Sequence, residues 1–439
     1  MTLMTRRRSI FVVLIAIPAA NAACALRQTQ APVRLTAVPY KASGIYTLGE
    51  KVGWTVTLPE GTTTPYSYTL KRNNQEVVES GRLDLSSGQA KVETSLAEPA
   101  MLYLEITREG GRPAAFGAAI APTKLRPIVD RPKDFDAFWK RKIAELKAIP
   151  ENPVLTPETS YSPDVDYASI RMDHVNGTHV YGHLAKPKKP GKYPALLILQ
   201  WASPPYPLQP AWVIEPAKQG FLALNIEPHD VLPSAPPSYY QGLPAELKNY
   251  ASIGREDRET SYFVDMYLRD YRAADYLSHC PEWNGKVLAV MGTSMGGQQS
   301  FAVAGLHPRI THLMVDVPAG ADLNASLYGR QMGYPFFNSS EPKTMEAARY
   351  VDAINFAPRI KATSLVAMGF VDTISPPAGV WTVFNLIKGK KEAVPMIDSP
   401  HNNLATPEQQ RPWAERSAAW LASLAQTGKV DVRKAPGLP

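Results

Sequence analysis

Two cysteines in 439 residues, Cys24 and Cys280, exclude a disulfide-stapled scaffold and a thiolate metal centre. Long apolar runs are also missing. The one near the amino terminus, residues 10–17, falls short of the roughly 20 residues that a spanning helix requires, and no second candidate follows. Basic clusters are absent as well. The net charge of +7 is spread along the chain, and three of its positive charges, Arg6, Arg7 and Arg8, fall in a leader. Nothing in this balance argues for nucleic acid as a partner. No fixed-period repeat is present. What remains is 44% hydrophobic and 20% charged residues, enough to bury a full core, over a length that accommodates two to three domains.

The leader reads as an export signal. Three arginines precede the apolar run, and Ala20-Asn21-Ala22 supplies the small residues of a cleavage site, placing the cut before Ala23. Arg7-Arg8-Ser9-Ile10-Phe11 loosely resembles a twin-arginine signal. Cys24 is a rival lipoprotein acceptor, against which Asn21 stands where a leucine is expected. The expectation is residues 1–22 as a signal peptide on an exported protein, periplasmic or secreted, with no membrane span.

Residues 33–121 alternate apolar and polar positions in short runs, as in Val52-Gly53-Trp54-Thr55-Val56-Thr57 and Met101-Leu102-Tyr103-Leu104-Glu105-Ile106. Turn clusters divide them at Pro59-Glu60-Gly61, Asn73-Asn74 and Glu109-Gly110-Gly111. This predicts a small all-β, immunoglobulin-like sandwich over residues 31–124, without the cysteine pair of antibody domains. A proline-rich linker, residues 122–132, follows. An amphipathic helix is expected over residues 134–146. Apolar strands at 195–199, 221–226, 287–291, 313–317 and 364–368 then alternate with helical stretches, the clearest at 262–277. Short, wholly apolar strands separated by helices mark a doubly wound, mostly parallel sheet, so residues 125–428 read as an α/β unit. Residues 228–258, rich in Pro, Tyr and Ser, form a surface excursion.

Gly292-Thr293-Ser294-Met295-Gly296 carries the chemistry. It follows an apolar strand directly and opens a helical run. A serine hydroxyl becomes a useful nucleophile only when exposed and paired with a base, and a sharp strand-to-helix turn achieves that exposure. The flanking glycines remove side chains that would clash there, and the backbone N–H of Met295 faces the developing oxyanion. The α/β-hydrolase chain order requires an acid and then a histidine after the serine. His307 falls at the end of the nucleophile's helix and His312 leads into the next strand, which leaves His401 as the base. Asp372 lies just past the 364–368 strand, where ligands of such sheets collect, and is preferred as the acid over Asp398, which sits on His401's own loop. The second oxyanion donor is expected from the loop Gln200-Trp201-Ala202-Ser203, as the N–H of Ala202. Trp201 and Tyr206 either line the substrate site or pack this loop.

With these residues placed, the chain resembles the acetylxylan esterase and cephalosporin-C deacetylase family across residues 131–421. The similarity is carried by Arg131-Pro132-Lys133-Asp134-Phe135-Asp136-Ala137-Phe138-Trp139, by the 263–277 helix, by Tyr350-Val351-Asp352-Ala353-Ile354-Asn355-Phe356-Ala357-Pro358-Arg359-Ile360, and by residues 369–377. The resemblance implies an α/β-hydrolase fold, a Ser294-His401-Asp372 triad and removal of acetyl groups from sugars or short oligosaccharides. Three places depart from the family. Gln200-Trp201-Ala202 stands where it carries His-Gly-Tyr, Met295 where it carries Gln, and Glu227-Pro228-His229-Asp230 where an Arg- and Gly-rich turn is usual. The expected partner is a small-molecule or oligosaccharide ester, with no cofactor and no metal; a homo-oligomer stays open. The competing readings are a serine peptidase of the prolyl-oligopeptidase type and a non-catalytic carbohydrate-binding surface protein. The first normally needs a propeller, which about ninety residues of β structure cannot form. The second is opposed by an intact triad.

Overall fold

The computed structural model describes residues 35–58 and 65–438. The expected signal peptide, its cleavage site, Cys24 and the Pro59-Glu60-Gly61 turn lie outside these residues. Among the described residues no helix is long and apolar enough to cross a membrane.

The described residues open with eight strands: β1 (Thr36–Pro39), β2 (Ile45–Tyr46), β3 (Val52–Thr57), β4 (Tyr66–Arg72), β5 (Glu76–Arg82), β6 (Gln89–Thr94), β7 (Ala100–Arg108) and β8 (Ala114–Ile120). They form two sheets, in the orders β1-β3-β6 and β2-β8-β7-β4-β5. Alternation explains the pairing. Val52, Trp54 and Val56 of one sheet and Leu70, Leu102, Leu104 and Ile106 of the other turn inward into one core.

After a 3₁₀ turn at Pro122–Lys124 comes helix α1 (Phe135–Lys147), then nine further strands and eight helices. The strands are β9 (Val154–Glu158), β10 (Val165–Asp173), β11 (His179–Pro187), β12 (Tyr193–Leu199), β13 (Leu222–Ile226), β14 (Trp283–Thr293), β15 (His312–Asp316), β16 (Thr363–Gly369) and β17 (Lys391–Met396). The helices are α2 (Ala211–Lys218), α3 (Pro237–Gln241), α4 (Tyr262–His279), α5 (Met295–Leu306), α6 (Pro342–Ala348), α7 (Ala353–Phe356), α8 (Pro377–Leu386) and α9 (Pro407–Thr427). One sheet runs β17-β16-β15-β14-β12-β13-β11-β10-β9. β12 to β17 are parallel, while β9, β10 and β11 extend the edge antiparallel. The five strands expected from the sequence are all present, β14 with longer bounds; β9, β10, β11 and β17 were not anticipated.

The period of two divides the sheet's side chains between its covers. Ala195, Leu197 and Leu199 of β12 join Ala273, Ala274 and Leu277 of α4 and Phe301 of α5. Their neighbours Leu196 and Ile198 join Val213 and Ile214 of α2 and Trp413, Trp420 and Leu424 of α9. Thr406 caps α9: its hydroxyl accepts from Gln409 N at 3.3 Å, and its N–H donates to Gln409 Oε1 at 2.9 Å. The result is a mixed α/β fold around a large, mostly parallel sheet. The chain order of β13, β12 and β14 reverses about β12, so the carboxyl ends of β12 and β14 flank the crevice where this architecture binds ligands.

Candidate active site

The nucleophile turn forms between β14 and α5, as the Gly-x-Ser-x-Gly pattern predicts. Ser294 adopts φ 57° and ψ −119°, a conformation that costs an L-residue roughly 1–3 kcal/mol and persists only where its surroundings over-determine it. Here the surroundings do so. Ser294 N donates to Asp316 O at 2.9 Å, and its carbonyl accepts from Gln298 N at 3.1 Å and Ala319 N at 2.9 Å. The glycines are steric necessities. A Cβ on Gly292 would lie 2.3 Å from the Gly296 backbone, and one on Gly296 would lie 2.1 Å from the Leu199 carbonyl oxygen.

The three residues expected to act together meet in space. His401 Nε2 lies 2.8 Å from Ser294 Oγ, and His401 Nδ1 lies 2.8 Å from Asp372 Oδ2. With the proton on Nδ1, His401 donates to the carboxylate and accepts from the serine hydroxyl. The other carboxylate oxygen, Asp372 Oδ1, accepts from Ile374 N and Ser375 N, each at 2.8 Å. Asp372 is fully buried and His401 nearly so, while Ser294 is partly exposed. Asp398 is exposed and makes no hydrogen bond to His401. His307 Nε2 instead faces Asp275 Oδ1 at 3.2 Å, and His312 Nδ1 faces Thr311 Oγ1 at 2.9 Å.

The loop after β12 is held from outside at three successive carbonyls. Gln200 O accepts from Gln299 Nε2 at 2.6 Å, Trp201 O from the Tyr206 hydroxyl at 3.2 Å, and Ala202 O from His229 Nε2 at 2.5 Å. Because Ala202 O can only accept, the single proton of a neutral imidazole sits on Nε2, and Nδ1 accepts from the Tyr262 hydroxyl at 2.7 Å. Burial pushes the His229 pKa down to about 4, so this donor stays neutral across ordinary working pH. In a trans peptide C=O and N–H point oppositely, so the bond to Trp201 O also sets the direction of the Ala202 N–H. Sequence reading did not assign His229, Gln299 or Tyr262 to the site. The one available signal was the replacement of the family's Arg- and Gly-rich turn by residues 227–230.

The expected substrate-facing aromatics are largely occupied with one another. Trp201 stacks on Tyr206 at 4.9 Å and meets the edge of Trp212 at 5.9 Å. The Met295 side chain is buried beside Gln299 Nε2, which leaves only its backbone for an oxyanion. In the 228–258 excursion, Tyr239 and Tyr240 bond the Leu232 backbone, and Tyr250 is buried with its hydroxyl 2.5 Å from that of Tyr334. These tyrosines brace their own loop and the aromatic core behind it. Among the described residues, Glu151, Asp275 and His279 bring three ligand-type atoms within 4.8 Å of one another at the far end of α4, but the Arg272 guanidinium, 3.9 Å from Glu151, already supplies a positive charge there.

The acetyl xylan esterase (AXE1) family model matches residues 122–417. Acetyl esterase Axe7A of Xylanibacter ruminicola is 30% identical over 371 residues, covering 81% of this chain and 84% of that protein. The acetyl xylan esterase from Paenibacillus sp. R4 superposes with a TM-score of 0.58 at 23% identity, over 69% of this chain and 98% of that one. Acetyl xylan esterase 1 from Thermoanaerobacterium sp. JW/SL YS485 does so with a TM-score of 0.57 at 19% identity, over 69% and 97%. These two structures establish the fold, and the family match with the Axe7A similarity establishes kinship: the chain belongs to the acetyl xylan esterase family of carboxylesterases.

Proposed function

We propose that the protein is an exported serine esterase that removes acetyl groups from sugars or short xylan-type oligosaccharides. The observation that carries this reading is the hydrogen-bonded chain Ser294–His401–Asp372 at the carboxyl ends of β14, β16 and β17. Ser294 Oγ attacks the acetyl carbonyl while His401 Nε2 takes its proton. The tetrahedral oxyanion receives the N–H groups of Met295 and Ala202. His401 returns the proton to the departing sugar oxygen, leaving an acetyl-serine. Water, deprotonated by the same nitrogen, then attacks the acetyl-serine, releasing acetate and restoring the serine. Asp372 holds the imidazole tautomer and stabilises its cation throughout.

The two-sheet unit is proposed to be an immunoglobulin-like sandwich over residues 31–124, followed by the catalytic unit over 125–428. Supporting this, β2 pairs parallel with β8 at one edge while the other pairs of both sheets are antiparallel, and consecutive strands cross between the sheets. Export is proposed on the leader alone, and the mature amino terminus decides between cleavage before Ala23 and lipidation of Cys24.

The test is kcat/KM across nitrophenyl esters of increasing acyl length, with acetate release from acetylated xylo-oligosaccharides. Efficiency should be highest for acetate, and acetate should leave the sugars. An open acyl channel would instead reward each added methylene by about 0.8 kcal/mol. Rising efficiency toward octanoate, with no acetate released from the sugars, leaves only a general esterase. Ser294→Ala and His401→Ala should each lower turnover on the order of 10⁴-fold or more, whereas His307→Ala and His312→Ala should stay active.

A further inference from the structure

The family match begins at residue 122, just past β8, so the two-sheet unit lies outside it. That unit nevertheless reaches the loop that carries Asp372. The turn between β4 and β5 presents Asn73 and Asn74, both in the left-handed region at φ 50° and 49°. Asn73 O accepts from Gln331 N at 3.0 Å, and Asn74 Nδ2 donates to Gln331 Oε1 at 2.7 Å. Gln331 Nε2 in turn donates to the carbonyl of Thr373, the residue after Asp372, at 3.1 Å. The turn is anchored from behind, since Asn73 exchanges hydrogen bonds with Met101 of β7. A second contact is steric. Gly117 of β8 lies so close to the loop that a Cβ there would meet Phe370 Cβ at 2.5 Å and Phe370 O at 2.9 Å. Asn73, Met101 and Tyr103 also wall the small pocket behind Asp372.

We propose that the amino-terminal β unit is a brace for the acid loop, with Gly117 and the Asn74–Gln331 bridge as positioning residues for Asp372. The two contacts flank the acid, at Phe370 before it and at Thr373 after it. Asp372 bonds its own loop through Ile374 N and Ser375 N, so a shift of that loop moves the carboxylate against His401. The inference rests on Asp372 as the acid of the triad.

Intact protein carrying Gly117→Ala, Gln331→Ala or Asn74→Ala tests the brace, with Asp372→Asn as reference and Val77→Thr, on the exposed β5 edge, as control. Turnover is measured per site titrated with a fluorophosphonate, together with KM for nitrophenyl acetate, the pH profile of kcat/KM and the melting temperature. Misplacement of a catalytic group on the ångström scale costs up to about 100-fold. Gly117→Ala and Gln331→Ala are expected to lower kcat by about 10-fold or more with KM within about twofold. The acid limb of the profile should move to lower pH, because a displaced carboxylate stabilises the imidazolium less. Asn74→Ala should give the same effect in smaller measure, and Val77→Thr none. Gln331 is polar and only half-buried, so it carries the test if Gly117→Ala does not fold. Unchanged kcat per titrated site and an unmoved acid limb in both variants, whatever the melting temperature does, would overturn the brace alone. Full activity in Asp372→Asn would overturn the triad reading and the brace with it.

Discussion

Tyr206 shows how a residue's chemical type and its location point to different roles. An aromatic beside the oxyanion loop reads as a sugar platform, yet its hydroxyl is spent on the Trp201 carbonyl and its face on the Trp201 ring. That bond engages the peptide that carries the Ala202 N–H. Tyr206→Phe keeps the stack and removes only the hydroxyl, so the cost should be that of one neutral hydrogen bond, about 0.5–1.5 kcal/mol, expressed as up to about tenfold in kcat. KM should hardly move, because a ground-state ester makes little use of an oxyanion donor. A variant with raised KM and intact kcat would restore the substrate-platform reading. The meeting of Ser294, His401 and Asp372 was legible in the sequence because its constraints are local or ordinal: a glycine-flanked serine, a fixed chain order, and a single suitable histidine beyond it. The clamp on the loop was not. Gln299 reaches Gln200 across 99 residues and His229 reaches Ala202 across 27, pairings that exist only once β12, β13 and α5 are side by side.

The strands legible in the α/β region were those whose sequence is predominantly apolar; β17, Lys391–Met396, is largely buried but carries Lys391, Glu392 and Pro395. The central strands are apolar on both faces because helices cover both, and they stand out as short unbroken runs. β9 is exposed along its whole length and contains Pro157, which fits an edge strand and leaves no periodic signal. β10 alternates only imperfectly. Burial also decides the charge state at the end of β15. Asp316 is fully enclosed with Oδ1 unpartnered; burial first, and the neighbouring Asp372 charge second, push its pKa up to about 8. A carboxyl whose folded pKa is raised binds its proton more tightly in the native state than in the unfolded chain. Its stabilising effect is therefore complete below about pH 4 and is lost as pH rises through about 8, at a slope approaching about 1.4 kcal/mol per pH unit. Asp316→Asn keeps the shape without the proton. Its melting temperature should fall less than the wild type's between pH 5 and 9, and parallel curves would show that Asp316 is charged in the folded protein.

At the scale of the whole molecule, composition and pattern divide the chain into a β unit and an α/β unit, yet the β unit, besides a core of its own, contributes to the core of the α/β sheet. Ile45, Met101 and Ala119 of the β unit belong to the same buried cluster as Phe370 and Met368 of β16 and its loop, and as Val380 and Trp381 of α8. The carboxyl-terminal tail closes the arrangement from the other side. Ala435 is buried in that cluster, and a Cβ on Gly437 would touch Ser43 Oγ at 2.5 Å and Ile45 Cβ at 3.1 Å. A sequence pattern assigns each strand an inward face but does not say which core that face meets, so this sharing was not legible. It has a thermodynamic consequence. Full burial of an Ile or Met side chain contributes roughly 1.5–3 kcal/mol, and deleting the β unit removes two of them while uncovering their partners on α8 and the acid loop. That loss approaches the whole stability of a typical domain, about 5–15 kcal/mol. Residues 122–438 expressed alone should therefore be poorly soluble or melt far below the full chain, although they contain the complete triad. The full chain should unfold in one calorimetric transition rather than two, because the shared cluster couples the units. A soluble 122–438 fragment with the parent's melting temperature and turnover would show that the contact is incidental, and two resolved transitions in the intact protein would show that the cores are separate.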